Sequence, residues 1–121
     1  MTQKRSPAKG AGGFGTASTF GSLDGWTLAE ADEYLSNHPD LKRTSITEHG
    51  YRLYQFKDGS ELWIRPDGEI LRVPYKLYDS DGKPLKGLRI SVATGKVMYS
   101  NVWHNLPRDE HEWVVMNDNT N

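Results

Sequence analysis

The stretch that decides the fold is GYRLYQFKDGSELWIRPDGEILR, Gly50 to Arg72. Aromatic and β-branched runs alternate here with KDGS and PDGE. Side chains of this kind suit a pleated, half-buried surface. Each Asp-Gly supplies the left-handed backbone that a tight hairpin turn needs. Strands joined by such short turns must run antiparallel.

Toward the C-terminus the pattern continues. ILRVPYKLY ends in DSDGKP, GLRISV ends in ATGK, and VMYSNVW ends at HNLP. The spacing of roughly ten residues predicts a meander of about five antiparallel strands. Pro74 cannot donate to a ladder, so it marks an edge or a bulge. Pro107 suits the first position of a short final helix, with Asp109 and Glu110 favourably placed against its dipole.

Toward the N-terminus, WTLAEADEYLSNHP predicts a helix from about Leu28 to Asn37. Thr27 and Glu30 form a capping box. Trp26 and Ala31 stand where a hydrophobic staple would. Leu28, Ala31 and Leu35 make one apolar stripe, and Pro39 stops the helix. The expected fold is therefore α+β, an N-terminal helix packed on an antiparallel sheet. Residues 1–25 are rich in Gly, Ser, Thr and Ala, and such a segment buries too little surface to offset its ordering entropy. They read as a flexible linker or tail on which Phe14 and Phe20 are the docking candidates, leaving 26–121 as the domain.

The 121 residues, 36% hydrophobic, fit one domain with one modest core. No run of eighteen apolar residues occurs, so no membrane span is expected. The basic N-terminus lacks the apolar segment of a signal peptide. Cysteine is absent, which removes disulfides, thiolate chemistry and cysteine-based zinc sites and fits a reducing compartment. Residues 1–25 carry three basic groups against one acid, a net of +2; residues 26–121 carry 12 against 15, a net of −3. That balance is unlike the basic working face of most nucleic-acid binders.

No Walker loop, G-x-G-x-x-G, G-x-S-x-G or H-E-x-x-H occurs. The densest cluster of reactive side chains is NVWHNLPRDEHEW, Asn101 to Trp113. His104 follows Trp103 at the end of the expected last strand, and the Leu106-Pro107 break lets His111 turn back toward it. Two histidines can share the proton transfers of RNA cleavage, one removing the 2′-hydroxyl proton and one protonating the departing 5′-oxygen. The plainer reading makes His104 a strand end and His111 a solvated turn. A third use joins both histidines to Asp109, Glu110 or Glu112 as metal ligands, in a spacing that matches no standard signature. In an alternative use, Glu110 or Glu112 orients a histidine.

Arg65 and Arg89 lie on strands, where a guanidinium fork can grip phosphate or pair with an acid across the sheet. Lys76, Lys86 and Lys96 have weaker claims of the same sort, and His49 is a further acid/base candidate. Tyr51, Tyr54, Tyr75, Tyr78, Tyr99 and Trp63 form either a base-stacking platform or, more commonly, packing. His38 reads as structural.

The order of linker, capped helix and compact sheet with late histidines and arginines resembles the C-terminal toxin domains of bacterial polymorphic toxins, of the Rhs and contact-dependent inhibition type. More narrowly it resembles the barnase/EndoU/colicin/RelE-like ribonuclease group. The phrases GYRLYQFKDGSELWIRPDGEILR and HNLPRDEHEW carry the resemblance, which covers about residues 26–113 and is architectural. It implies RNA cleavage without metal or other cofactor, often of tRNA. It implies delivery into a target cell's cytoplasm and a dedicated immunity protein as partner. His104 and His111 would then be the acid/base pair, Arg65 and Arg89 the phosphate holders, and Lys96, Trp103, Lys76 and His49 substrate contacts. The competing reading takes the acidic balance at face value: a non-catalytic binding module, such as an immunity protein or adaptor.

Overall fold

The computed structural model describes residues 13–116. The fold is α+β, with the main helix N-terminal to an antiparallel sheet. Helix α1 spans Leu28–Ser36 and carries the full capping box: Glu30 N–H donates to Thr27 Oγ1, and Thr27 N–H donates to Glu30 Oε1. Two of its orphan donors are thus satisfied, worth about 1 kcal/mol. Its stripe of Ala31 and Leu35 is fully buried.

Strands β1 (Leu41–Ile46), β2 (Arg52–Phe56), β3 (Glu61–Ile64) and β4 (Ile70–Val73) form the expected meander, in the order β1-β2-β3-β4. The register follows from the two Asp-Gly turns: Leu53 faces Trp63, and Trp63 faces Leu71. Gly68, in the second turn, has φ +96°, and a Cβ there would stand 2.4 Å from the Val114 carbonyl oxygen. Only glycine fits both constraints. Alternation gives the sheet two unlike faces. Tyr54, Phe56, Leu62, Ile64 and Ile70 point inward to α1 and are at most 1% exposed. Leu53, Gln55, Glu61, Trp63, Leu71 and Val73 point outward and are half-buried.

The strand count differs from the expected five in one sheet. β1 precedes the first expected run, and it is an exposed edge strand whose LKRTSI has no apolar alternation for a sequence reading to catch. The later runs form a separate two-stranded hairpin, β5 (Leu88–Ile90) with β6 (Val97–Tyr99), lying beside β4. VMYSNVW is not one strand. Its ladder closes at the Leu88–Tyr99 pair, Ser100 N–H donates to the Gly87 carbonyl, and the chain turns into a short helix α2, Ser100–His104. Trp103 and His104 therefore end a helix, not a strand. Pro107 opens a single 3-10 turn, Arg108–Glu110.

The expected linker is also partly structure. Residues 1–12 lie outside the described residues, but Gly13 to Gly25 form a strap across the inner face of the sheet. Ala17, Phe20 and Leu23 are at most 3% exposed, and Phe20 stacks edge-on against Tyr34 and Phe56. Composition alone misses this because the strap's polar backbone is satisfied by specific partners. Arg72, 2% exposed, donates through Nη1 to the carbonyls of Ala17 and Phe20 and through Nη2 to that of Gly21. Its remaining two N–H groups form a bidentate pair with Glu112, at 2.8 and 2.6 Å. Glu112 in turn accepts from Leu23 N–H. At the strap's start, Asp58 accepts from the backbone and hydroxyl of Thr16, and Ser60 Oγ accepts from Ala17 N–H. The C-terminal segment locks the other side, with Ile70 N–H donating to Glu112 O and Val115 N–H to Trp26 O.

Candidate functional site

Three clefts adjoin along the outer side of the sheet and the α2 end. The central one, of about 320 Å³, is walled by Arg65, Leu71, Arg89, Ser100, Asn101, Trp103, His104 and Asn105. It shares Leu71 and Arg89 with a cleft of about 370 Å³ over Tyr51, Trp63 and Val73. It shares His104 with a third, of about 210 Å³, that also contains Glu69, Arg108, His111 and Trp113. Arg65, Arg89, Trp103 and His104, four residues singled out in the sequence, thus wall a single cleft. The meander supplies Arg65 and Leu71, β5 supplies Arg89, and α2 supplies the rest.

Arg89 is the outstanding group electrostatically. Nη1 donates to its neighbour's carbonyl, Leu88 O, and Nε is buried with no partner. Among the described residues no carboxylate pairs with it. Burial pushes its pKa below the ordinary arginine value, the direction expected when a cation loses water without gaining a counter-charge. Arg65 is partly engaged: Nη1 lies 3.3 Å from Glu69 Oε1, while Nε is buried and unpaired. Arg108 lies over the Trp113 ring, 4.5 Å from its centroid. The acids here are occupied. Glu61 accepts from Trp63 Nε1 and Gln55 Nε2, and Glu69 lies between Arg65 and His111. The clefts hold three arginines against two glutamates. Their walls thus carry one more cation than anion, whereas the whole chain has a net charge of −1.

The two histidines differ. His104 is exposed at the end of α2. His111 is buried, with Nε2 3.2 Å from Leu106 O and its ring edge-on to Trp103 at 4.5 Å. Its Nδ1 is 3.1 Å from Glu69 Oε2, but the approach falls outside hydrogen-bond geometry. Both rings face the third cleft. The joint His/carboxylate metal set does not assemble: Glu112 is turned to Arg72, and among the described residues no three histidine or acidic side chains converge as ligands.

The remaining sequence candidates lie elsewhere. His49 is in the β1–β2 turn, 80% exposed beside Glu48. Lys76 and Lys96 are exposed and wall none of the three clefts. Of the strand aromatics, Tyr54 is core, donating from its hydroxyl to Asp32 of α1, while Tyr51 and Trp63 face the groove. His38 is structural, stacked among Phe20, Tyr34 and Phe56. The sequence reading missed Arg108, and it missed Asn101 and Asn105, which a helical reading of SNVWHN would have set near His104. Among the described residues no helix is long and apolar enough to cross a membrane. No family model, no curated protein and no solved structure matches this chain.

Proposed function

We propose that the protein is an RNA-cleaving toxin domain whose active site is the central cleft. The observation that carries this reading is Arg89: a half-buried guanidinium with unused donors and, among the described residues, no acid paired with it, opening onto a cleft that also holds Arg65 and His104. A buried cation without a counter-charge costs stability, and an anionic ligand removes that cost. Arginine forks match the geometry of phosphate.

In the proposed step the substrate's 2′-hydroxyl attacks the adjacent phosphorus and the P–O5′ bond breaks. Products are a 2′,3′-cyclic phosphate end and a 5′-hydroxyl end. Arg89 and Arg65 stabilise the added negative charge on the phosphorus oxygens. Among the described residues that wall the cleft, His104 alone is of a type that gives and takes protons near neutral pH. It donates to the departing 5′-oxygen, and the 2′-hydroxyl proton passes to water. His111 is a positioning residue here: it braces Trp103 and the carbonyl of Leu106, fixing the chain on both sides of His104. Asn101 and Asn105 offer neutral hydrogen bonds to the sugar or phosphate. A toxin of this kind would act in a target cell's cytoplasm and be blocked by a cognate immunity protein covering the groove.

Expression in bacteria with analysis of total RNA is the test. The wild-type chain should arrest growth and fragment RNA, and His104→Ala should lower cleavage by about 10²–10⁴-fold, the range of one general acid, at unchanged melting temperature. Cleavage should persist with a chelator present. Harmless expression with intact RNA would instead support the binding-module reading.

A further inference from the structure

We infer that the 370 Å³ cleft beside the central one is a nucleobase site, and that the substrate is single-stranded RNA with one base stacked on Trp63. This rests on the ribonuclease reading above and adds the substrate's strandedness and the way its base is held.

Trp63 lies on the outward face, half-buried, when its alternation partners Leu62 and Ile64 are sealed in the core. Its indole is held in place. Nε1 donates to Glu61 Oε1 at 3.0 Å, and Tyr51 meets it edge-on with centroids 6.2 Å apart. Leu53 and Leu71 flank it across the ladder. A ring fixed this way loses little freedom when a base stacks on it. The floor is otherwise apolar, with Leu71 and Val73.

The position relative to Arg89 gives the cleft its meaning. Arg89 walls both this cleft and the central one. A phosphate on its guanidinium therefore has the indole on one side and His104 on the other. A nucleotide spans such a gap when its base is swung out of a helix. A duplex cannot comply, because both faces of each base are covered by neighbouring pairs. Glu61 is the one carboxylate in this cleft, and both its oxygens are engaged by Trp63 and Gln55. The base is held by its π-face, so this position tolerates any base, ranked by stacking strength.

The test uses the full chain carrying His104→Ala, which slows cleavage about 10²–10⁴-fold, and measures binding of a short labelled single-stranded RNA and of its duplex by fluorescence anisotropy, on a timescale short of cleavage. The single strand should bind at least about ten-fold tighter than the duplex. Adding Trp63→Leu should weaken single-strand binding about ten- to hundred-fold, the span of one base–aromatic stack, with the salt slope unchanged. Trp63→Phe should restore most of the loss. If Trp63→Leu does not fold, Tyr51→Leu, which removes the ring set edge-on to the indole, should still weaken binding several-fold. Equal binding of duplex and single strand overturns the inference. So does a Trp63→Leu protein that binds as before while Arg89→Met weakens binding, and that result leaves the phosphate site standing. If neither RNA binds, both readings are overturned.

Discussion

Arg72 and Arg89 lie on adjoining strands, β4 and β5, and differ in what their guanidinium groups have left to give. Arg72 points inward, and each of its five N–H groups has a protein acceptor: two on Glu112, three on strap carbonyls. Its plane also covers the Phe20 ring at 4.6 Å. Arg89 is half-buried on the groove side, gives one hydrogen bond to its own neighbour's carbonyl, and keeps Nε unmatched. The first arginine is consumed by the architecture. The second has donors in reserve beside open space. Burial alone does not separate a structural cation from a ligand-binding one; the inventory of its donors does.

Exchanging each arginine for methionine, which keeps an apolar stem of similar length, tests that contrast. Arg72→Met leaves Glu112 buried and uncompensated and strips donors from Ala17, Phe20 and Gly21. It should lower unfolding free energy by about 3–5 kcal/mol, read by denaturant titration. Arg72→Met with Glu112→Leu should recover part of that loss, since two apolar groups leave no orphan charge. A loss below about 1 kcal/mol for the single change would mean that the clasp is ornamental. Arg89→Met should behave oppositely. Stability should hold or rise, by up to about 1 kcal/mol, because a poorly compensated cation is removed. Affinity for single-stranded RNA should fall about ten-fold, and the slope of log K against log salt should become shallower by about one. Equal destabilisation by both variants would erase the distinction.

The same inventory explains what could be read in the chain. Helix α1 and the strands from Arg52 to Val73 were legible because their signals are local: a capping box, a spaced apolar stripe, Asp-Gly turns. Arg65, Arg89, Trp103 and His104 were legible by residue type, and the fold brings them to one cleft. Nothing local marks Arg72 or Glu112. Their partnership spans 40 residues, and Arg72 reads in ILRV like any outward polar position of a strand. The strap was hidden for the same reason, since a Gly- and Ser-rich segment looks unfoldable until the donors that Arg72 brings to its carbonyls from a distant strand are known. His104 and His111 looked equivalent in a line of text. The turn into α2 at Ser100 exposes one, while the 3-10 turn after Pro107 folds the other under Trp103.

The strap's two anchors differ in how acid should affect them, which gives the smallest expected effect. At the strap's start, where Thr16 adjoins the Arg72 partner Ala17, Asp58 is exposed yet accepts from Thr16 and Ser60, through backbone and hydroxyl alike. Partial burial by itself would raise its pKa, but these hydrogen bonds to the charged form outweigh it and hold the carboxyl below its ordinary value of 3.8. The sign follows from linkage. A group whose pKa is depressed in the folded protein contributes stability above its unfolded value and loses it as pH falls through the folded one. The Asp58 contribution is therefore complete near neutral pH and declines below 3.8. Asp58→Asn cannot titrate, so the variant should be modestly less stable at neutral pH and should approach the wild type as the medium is acidified below that value. Amide hydrogen exchange at Thr16 and Ala17 reads the strap directly: both should exchange faster in the variant at neutral pH, while the amide of Leu23, held by Glu112, should not change. Equal acceleration at Leu23 would mean that the strap opens as one unit, and that the Arg72 clasp depends on Asp58 rather than standing alone.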